Sequence, residues 1–518
     1  MDTATLNIPH FAQRVVARLH ACGHQAYLVG GCVRDSLLGT TPKDWDVATS
    51  ALPQEVQACC AATPDSPALP VIATGIQHGT VTVLVDGSPV EVTTFRQDGP
   101  YLDNRHPESV SFISSLREDL ARRDFTINAM ALDVSGATDA AGATGGIGAA
   151  DATGATGATG KATAPSATGT LDAPGTPNTT RPQPQPSPAT LIDPFGGLAD
   201  LEAGIIRTVG DPDARFAEDG LRLMRALRFS ATLGFAIEPH TAAAIHRNRE
   251  LLANSAPERF VAELMRLLPS PNSKAVLDAY PDVLAVLIPE ISPAVGFDQH
   301  NRHHCYDVWE HTTCAICAAP PNPLVRLALV FHDLGKPPAF RLDSNGVGHF
   351  YGHAALSAQL ARARLAALRF DNATIETVCL LVESHMLDLS GKTLLRALRN
   401  LGEARVRLLL DVKRADGSAT AAPYVAQRLA HAAEATAELE RILAEERCFK
   451  LKDLAISGHD LLAAGIPEGP QIGALLEALL DEVIEGSLPN EREALLAYAS
   501  GMNSGSQSSS TSSSLPAG

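Results

Sequence analysis

The chain has 518 residues, 45% of them hydrophobic, and a formal charge of −17 at pH 7. This length predicts several domains with ample core, while the acidic balance argues against non-specific nucleic-acid binding, which needs Lys and Arg to neutralise phosphates. No stretch has the length and apolarity of a transmembrane helix or a signal peptide, and the nine cysteines lack disulfide-like spacing, so we expect a cytoplasmic protein with reduced thiols.

Residues 1–135 alternate short β-rich runs with helical ones, which predicts an α/β domain. Residues 27–35 read as strand, turn and helix. Further strands are expected at residues 71–74, 80–85 and 90–95, with Gly and Asp-Gly turns between them.

Two aspartates one residue apart, Asp44 and Asp46, follow the first strand–turn–helix segment. Side chains alternate along a strand, so both carboxylates are expected to project from one face while Trp45 points the other way. Two carboxylates placed in this way can hold Mg²⁺. Taken alone, an Asp-x-Asp sequence is more often a solvated loop or strand edge.

A Gly-Gly pair, Gly30 and Gly31, precedes the helix of the same segment. Its backbone N–H groups can approach a polyphosphate without interference from Cβ atoms, and the helix presents its positive end to the same anion. Arg34 lies on this helix and can bind a phosphate oxygen. Because phosphoryl transfer mainly needs positioned groups, a metal and cations, the glycines and aspartates together indicate that chemistry.

At this spacing the two motifs resemble the start of the class II tRNA nucleotidyltransferase and bacterial poly(A) polymerase family. The resemblance implies a polymerase-β-like nucleotidyltransferase head, an α/β domain with a mixed or antiparallel sheet and helices. An all-α neck, body and tail are implied to follow it. Asp44 and Asp46 are then implied to hold the catalytic Mg²⁺ of the head.

The same resemblance implies roles for other residues of the head. Glu91, on a strand beside the aspartate strand, is a candidate third catalytic carboxylate, although a surface strand glutamate is an equally open interpretation. Residues 101–107 resemble the mobile loop of the family. The residues implied to bind the triphosphate are Gly31, Arg34 and Arg123, and those implied to hold the sugar or the local backbone are Asp124 and Asn128.

Residues 136–188 consist of Gly-Ala-Thr triplets followed by a Pro-rich run, which predicts a disordered insertion. Strand-like pieces at residues 130–134 and 190–193 flank it, so we expect the insertion to replace a hairpin turn, where extra length costs little. The Ser-rich residues 501–518 are also expected to be disordered.

A helical pattern begins after residue 206, and on its first helices Asp219 and Arg222 lie three residues apart, on one face. A carboxylate accepts a hydrogen bond from the exocyclic amine of cytosine or adenine, and a guanidinium donates to the neighbouring ring nitrogen. Uracil and guanine present the opposite groups. An ordinary salt bridge is the alternative. The resemblance implies an amino-acid template here, with Arg225 and Arg228 as further nucleotide contacts.

A second metal site is predicted between about residues 300 and 420. His332 and Asp333 are adjacent near the end of an apolar helix, His311 lies one helix earlier, and Asp416 follows. This order resembles the HD phosphohydrolase superfamily. The resemblance implies a divalent metal, Mg, Mn, Ni or Fe, which activates water or holds a phosphate.

Three further residues are candidate auxiliaries of the HD site. His353 and His385 are candidates for a second metal or for phosphate binding, and Asp388 is a rival to Asp416 as a ligand. A lone histidine on a helix is usually structural. Because the four main positions are intact, we expect a working hydrolase for phosphate or 2′,3′-cyclic phosphate at RNA ends.

The predicted organisation has six parts. They are the head (1–135 and 189–209), the disordered insertion (136–188), the helical neck with the nucleotide template (210–270), the helical body with the HD site (271–420), the tRNA-binding helical tail (421–500) and the disordered end (501–518).

The leading functional hypothesis is addition of C, C and A to tRNA 3′ ends from CTP and ATP, with no DNA or membrane partner. Alternatives are a poly(A) polymerase or an enzyme that adds only A or only CC, an HD phosphohydrolase with an inactive head, and a catalytically silent tRNA-binding module. The sequence does not decide between a monomer and a homodimer.

Overall fold

A seven-stranded mixed sheet organises the N-terminal part of the chain. The computed structural model describes residues 6–64, 66–73, 75–99, 110–134 and 189–507. These residues fall into two compact units, one ending at Asp211 and the other beginning at Pro212. The predicted insertion at 136–188 and the loop at 101–107 lie outside the described residues.

The sheet has the strand order β3-β4-β5-β2-β1-β8-β9, in which β2 and β5 run parallel and the other neighbours are antiparallel. The strands of this unit are β1 (Ala26–Val29), β2 (Asp46–Thr49), β3 (Val71–Ile72), β4 (Thr80–Val85), β5 (Ser88–Thr94), β6 (Arg96–Asp98), β7 (Val110–Phe112), β8 (Ala131–Asp133), β9 (Thr190–Ile192) and β10 (Ile205–Ile206). Its helices are α1 (His10–Ala21), α2 (Gly31–Leu37), α3 (Pro53–Cys59), α4 (Leu116–Ala121) and α5 (Gly197–Ala203), with 3₁₀ turns at Ile76–His78 and Thr126–Asn128.

The sequence pattern accounts for this sheet. In β4, Val81, Val83 and Val85 are buried while the residues between them are partly exposed, which is the alternation that predicted the strand. Strand β8 pairs antiparallel with β9, with Asp133 opposite Thr190. The flanks of the predicted insertion therefore form a hairpin, as expected.

The C-terminal unit is largely helical, as predicted. Its helices are α6 (Pro212–Glu218), α7 (Leu221–Leu233), α8 (Pro239–Asn248), α9 (Pro257–Leu267), α10 (Ser273–Ala279), α11 (Pro281–Ala285), α12 (Val308–Ala318), α13 (Pro323–Phe331), α14 (Lys336–Ala339), α15 (His353–Ala367), α16 (Asn372–Ser384), α17 (Gly391–Leu401), α18 (Glu403–Ser418), α19 (Ala422–Ala444), α20 (Gly458–Ala463), α21 (Pro470–Glu485) and α22 (Arg492–Gln507). It also contains 3₁₀ helices at Arg249–Asn254, Pro289–Ala294 and Leu451–Asp453 and short strands β11 (Ala236–Ile237), β12 (Arg341–Leu342) and β13 (Gly348–His349), of which β12 and β13 pair.

The C-terminal end corrects one prediction. Helix α22 continues to Gln507, so disorder beginning at residue 501 is wrong for the first seven residues of that segment, and residues 508–518 lie outside the described part. Within the described residues, none of the helices has the length and apolarity needed to cross a bilayer.

Candidate active sites

Two carboxylates, those of Glu91 and Asp44, act on the pKa of a third, Asp46, at one place on the head sheet. Asp46 begins β2 and lies in parallel register with Glu91 of β5, whose backbone N–H donates to Trp45 O at 3.1 Å. Burial raises the pKa of Asp46 to about 6, Glu91 and Asp44 add to the rise, and Arg123 opposes it. The predicted neighbourhood of Glu91 and the aspartates is therefore present, and these acidic side chains provide the oxygen ligands that Mg²⁺ prefers.

One detail of the aspartate prediction is wrong. Asp44 lies in a bend before β2 and is exposed, so the two aspartates do not share a strand. Trp45 is buried, and its ring meets Phe11 edge-on at a centroid distance of 6.5 Å. Burial of this indole fixes the backbone between the two acids.

Gly30 lies directly against the acidic group. Its φ is +79°, and a Cβ atom at this position would lie 2.8 Å from Arg123 Nη1 and 3.8 Å from Asp46 Oδ2. The Arg123 Nε is buried and has no hydrogen-bond partner within the described residues, while Nη2 lies 3.4 Å from Asp119 Oδ2. A cation with unused donor capacity therefore lies beside Asp46, which fits the predicted binding of an anion.

The remaining head candidates form a buried network. Arg34 is 8% exposed; it donates to Asn128 Oδ1 at 2.6 Å and to Asp35 Oδ1 at 2.8 Å. Asn128 in turn donates to Asp124 Oδ1 at 3.0 Å, and that oxygen also accepts the backbone N–H that follows it. A Cβ atom on Gly31 would lie 3.7 Å from Arg34 Nη2. Asp124 thus holds the local backbone, as one of its two implied roles requires.

The neck residues have partners that the sequence did not reveal. Asp219 lies between α6 and α7, and Arg259 of α9 donates to its two carboxylate oxygens at 3.2 and 2.7 Å. Arg222, on α7, donates to Glu218 Oε2 and to Arg215 O. Because Asp219 lies outside the helix that carries Arg222, the two residues do not share a helix face, which corrects the predicted i,i+3 geometry.

Arg225 and Arg228 lie on the same helix, α7, and share one buried carboxylate. Glu263 of α9 is 5% exposed; its Oε1 lies 3.8 Å from Arg225 Nη1, and its Oε2 accepts a short hydrogen bond from Arg228 Nε. The Arg228 guanidinium also lies 3.8 Å from the ring centroid of Phe229. These contacts fix both arginines in the fold of the neck.

In the C-terminal unit, four histidines and two aspartates meet in one cluster. The six residues are His311 of α12, His332 and Asp333 after α13, His353 at the start of α15, His385 at the end of α16, and Asp416 of α18. Nε2 of His311 lies 3.0 Å from Asp416 Oδ1 and 3.4 Å from Asp333 Oδ2. Nε2 of His332 lies 3.2 Å from the same Asp333 oxygen. The predicted HD residues are thus brought together.

The two auxiliary histidines approach the other oxygen of Asp333. Its Oδ1 lies 3.4 Å from His353 Nε2 and 3.8 Å from His385 Nε2. Two groups of three possible metal ligands therefore share this one carboxylate. Asp388 is exposed and accepts a hydrogen bond from Ser390, so Asp416 rather than its rival completes the cluster.

The backbone fixes the orientation of all four imidazoles. Each Nδ1 lies 2.6 to 3.1 Å from a backbone carbonyl oxygen. Donation of Nδ1–H to that carbonyl directs the Nε2 lone pair into the cluster. The Nε2 atoms of His311 and His332 are 3.3 Å apart, as are those of His353 and His385. Two facing lone pairs at this distance repel unless a proton or metal ion lies between them, so the arrangement fits a divalent metal.

The pKa values of Asp416 and His385 agree with this chemistry, whereas the pKa of His332, lowered by burial, is raised overall by Asp333 and Asp416, which favours its protonated form in the absence of a metal. Burial would raise the pKa of Asp416, but the hydrogen bond and charge of His311 hold it well below its ordinary value. Burial lowers the pKa of His385 to about 4, and the neighbouring His332 contributes to the fall. An ionised carboxylate and a neutral imidazole are the forms that bind metals.

Lys336 is a site residue that the sequence reasoning missed. It is 5% exposed, and its Nζ lies 2.7 Å from Asp333 Oδ2 and 2.8 Å from Gln299 Oε1. Lys336 follows Asp333 by three residues, in a turn that continues from an apolar helix. This spacing could have predicted the contact between the two side chains.

Comparison with known proteins identifies the chain. The Poly A polymerase head domain matches residues 26–150, a model described as an RNA- and SrmB-binding site of polymerase A matches 234–294, and tRNA nucleotidyltransferase domain 2 matches 350–499. The CCA-adding enzyme of Levilactobacillus brevis is 32% identical over 486 residues, which cover 94% of this chain and 96% of that protein. The enzyme of the same name from Geobacillus thermodenitrificans is 41% identical over 265 residues, covering 51% and 50%.

A solved structure agrees with these matches. The crystal structure of the Bacillus stearothermophilus CCA-adding enzyme in complex with CTP superposes with a TM-score of 0.62 at 27% identity, covering 96% of this chain and 98% of that one. The mixed-sheet head and the helical domains that follow it define a nucleotidyltransferase. The chain belongs to the family of CCA-adding enzymes.

Proposed function

We propose that this nucleotidyltransferase adds C, C and A to tRNA 3′ ends from CTP and ATP. The observation that carries the proposal is the group of Asp46, Glu91 and Asp44 beside Gly30 and the Arg123 guanidinium. A relative crystallised with CTP has the same fold over nearly its whole length. Since tRNA is the proposed substrate, we place the enzyme in the cytoplasm.

The head residues divide the work of nucleotide transfer. The tRNA 3′-oxygen attacks the α-phosphorus of the incoming nucleotide, the bond to the β-phosphate oxygen breaks, and pyrophosphate leaves. Asp44 and Asp46 would hold Mg²⁺, which would supply charge that favours loss of the 3′-hydroxyl proton and departure of pyrophosphate. Arg123 neutralises the triphosphate, and Gly30 allows its approach because no Cβ atom intervenes. Glu91 adds negative charge that favours retention of the metal.

The neck residues are proposed to read the base. The Asp219 carboxylate accepts from the exocyclic amine of cytosine or adenine, and Arg222 donates to the adjacent ring nitrogen. Their contacts with Arg259 and Glu218 hold the two side chains until a base arrives. Arg225 and Arg228 are proposed as further nucleotide contacts. The tail, in which Pro470 opens α21 after Gly469, is proposed to bind tRNA.

The decisive experiment uses a tRNA transcript that ends at the discriminator base. We expect incorporation from CTP and ATP, and sequenced products that end in CCA. Incorporation of A alone, of CC alone, or of long A tracts would assign the chain to one of the related activities. Equal use of UTP or GTP would refute the proposed base reading by Asp219 and Arg222.

A second function is favoured by the histidine–aspartate cluster. We propose that His311, His332, Asp333 and Asp416 hold a divalent metal, Mg, Mn, Ni or Fe, and that His353 and His385 extend the site on the other Asp333 oxygen. Such a site suits hydrolysis of a phosphate or 2′,3′-cyclic phosphate at an RNA end. Water adds to phosphorus, one ester P–O bond breaks, and the released oxygen takes a proton.

The two functions can be separated by mutation. The double variant Asp44→Ala, Asp46→Ala should abolish nucleotide incorporation into tRNA. It should leave hydrolysis of the phosphate at an RNA end intact. His332→Ala with Asp333→Ala should do the reverse and lower the metal content of the purified protein. If metal content stays the same in that second variant, the cluster is not a metal site.

A further inference from the structure

Two cavities in the C-terminal unit meet at the histidine–aspartate cluster. One has a volume of about 250 Å³ and the other about 770 Å³. Both are lined by His385, Asp416, Met386 and Arg428. Arg428 therefore lies where the cavities join, next to the cluster, on the helix that follows the one carrying Asp416.

The position of Arg428 is set by a close helix crossing. It lies on α19, and a Cβ atom on Gly417 of α18 would lie 3.0 Å from Arg428 Cβ. Gly417 directly follows Asp416 in sequence. The crossing therefore places the Cβ of Arg428 beside the residue that follows a carboxylate of the cluster. Within the described residues, none of the carboxylates forms an ion pair with Arg428 within 4 Å, unlike the other arginines of α18 and α19 that pair with Glu or Asp.

The charges around the smaller cavity indicate what it binds. Its lining includes two carboxylates, Asp333 and Asp416, and two cations, Lys336 and Arg428, so these charges balance. A divalent metal at the cluster would leave an excess of two positive charges. A phosphomonoester carries a charge of about −1.5 to −2 at neutral pH and offers oxygens that match a guanidinium.

The rim of this cavity carries a stacking surface. His349 and Tyr351 line it, and their rings are stacked with an interplanar angle of 5° and a centroid distance of 5.4 Å. Tyr351 is 79% exposed, which leaves one face of its ring open. An exposed aromatic ring beside an anion site suits a nucleobase, since every base has a π face.

We propose that Arg428 is the phosphate-binding residue of the helical-domain site, and that the site takes a nucleoside phosphomonoester with its base on Tyr351. This inference rests on the proposed metal site and deepens it by naming the ligand class and the residue that selects it. The phosphate would lie between Arg428 and the cluster, where the guanidinium would bind its oxygens beside a metal held by the cluster. The nucleotide can be free or can be the end of an RNA.

Binding to the full-length protein tests the assignment. The probes are inorganic phosphate and the non-hydrolysable phosphonate analogue of AMP, titrated calorimetrically with Mn²⁺ present and with saturating CTP to occupy the head. Arg428→Gln should weaken both probes roughly tenfold or more, because a charge-assisted contact is lost. Tyr351→Ala should weaken the analogue and leave inorganic phosphate unchanged. Arg414→Gln, which removes an exposed arginine of α18, is the matched control and should change neither.

The outcomes separate this inference from the proposed function. If the protein binds metal at the cluster but Arg428→Gln binds both probes like the unaltered chain, the assignment of Arg428 is wrong and the metal site stands. If His311→Ala leaves metal content unchanged, the metal site fails and the ligand assignment fails with it. The rates of phosphate release from AMP and from a tRNA bearing a 3′-phosphate, compared in the unaltered chain, show which source of the phosphomonoester is preferred, and Arg428→Gln should lower both rates.

Discussion

Replacing Gly30 with alanine tests whether Arg123 must lie beside Asp46 for catalysis. The added methyl group would lie 2.8 Å from Arg123 Nη1, closer than ordinary contact allows, and the position has a φ of +79°. The guanidinium is the flexible end of a long side chain, so it can move away. The fold should therefore survive while the cation leaves its place near the carboxylate.

The expected magnitudes separate strain from displacement. Gly30 combines a φ of +79° with a ψ of −133°, a conformation that side chains rarely adopt, so alanine there costs about 1–3 kcal/mol of stability. Gly39→Ala is the control for a positive φ, which is +72° at that position, because a methyl group there meets no atom within 4 Å. Loss of a hydrogen bond to a charged phosphate costs about 1.5–3 kcal/mol, which corresponds to a roughly 10- to 150-fold fall in kcat/KM. Only Gly30→Ala should show this fall.

The assay is steady-state incorporation of labelled CTP into tRNA that lacks its 3′ end, combined with urea unfolding of both variants. We expect both variants to lose unfolding free energy, Gly30→Ala at least as much as Gly39→Ala, and a fall in kcat/KM confined to Gly30→Ala. Equal kcat/KM values for the two variants, at equal folded fractions, would refute the role given to Arg123.

Three further predictions concern stability and the insertion. Glu263→Ala should lower the free energy of unfolding in urea by about 3–5 kcal/mol, because Arg228 loses a buried partner. Glu258→Ala, on the same helix, is the control and should cost under about 1 kcal/mol, because its pair with Arg369 is exposed. Equal effects of the two substitutions would contradict this account. Hydrogen bonds from Ser457 and Arg492 lower the pKa of Asp460 to about 2. The contribution of the Asp460 carboxylate to folding stability is therefore present above about pH 4 and is lost as the pH falls towards 2. Asp460→Asn should therefore lower the thermal midpoint at pH 6, by an amount that shrinks towards pH 2, and a pH-independent difference would argue against it. Deleting residues 136–188 leaves three residues between β8 and β9, enough for a hairpin loop, and nucleotide incorporation should persist; a folded deletion variant without incorporation would show that the insertion has a role in the reaction.

The sequence predicted the elements whose signal is local. Alternating valines predicted β4. The placement of Glu91 beside Asp46 and the histidine–aspartate cluster were predicted from resemblances to known families, because the residues that meet at these places lie on separate elements. Asp44 was misplaced because burial of Trp45 sets the backbone before β2, and periodicity does not report that packing.

Contacts between distant segments were the main failure. The neck prediction paired Asp219 with Arg222 by their spacing, whereas the carboxylate binds Arg259, 40 residues away. Arg428 is near Gly417 in sequence, but its place depends on how the two consecutive helices cross. Such pairings depend on how helices pack, and one sequence alone does not encode them in any local pattern.

The antiparallel pairing of Asp133 with Thr190 brings the two ends of a long sequence segment to adjacent positions at one margin of the head sheet. Any guest polypeptide whose own termini lie about one strand spacing apart can be spliced there without altering the strands. A fluorescent protein or an affinity tag can therefore be inserted at this margin, and insertions can lengthen the chain there during evolution at little cost in stability.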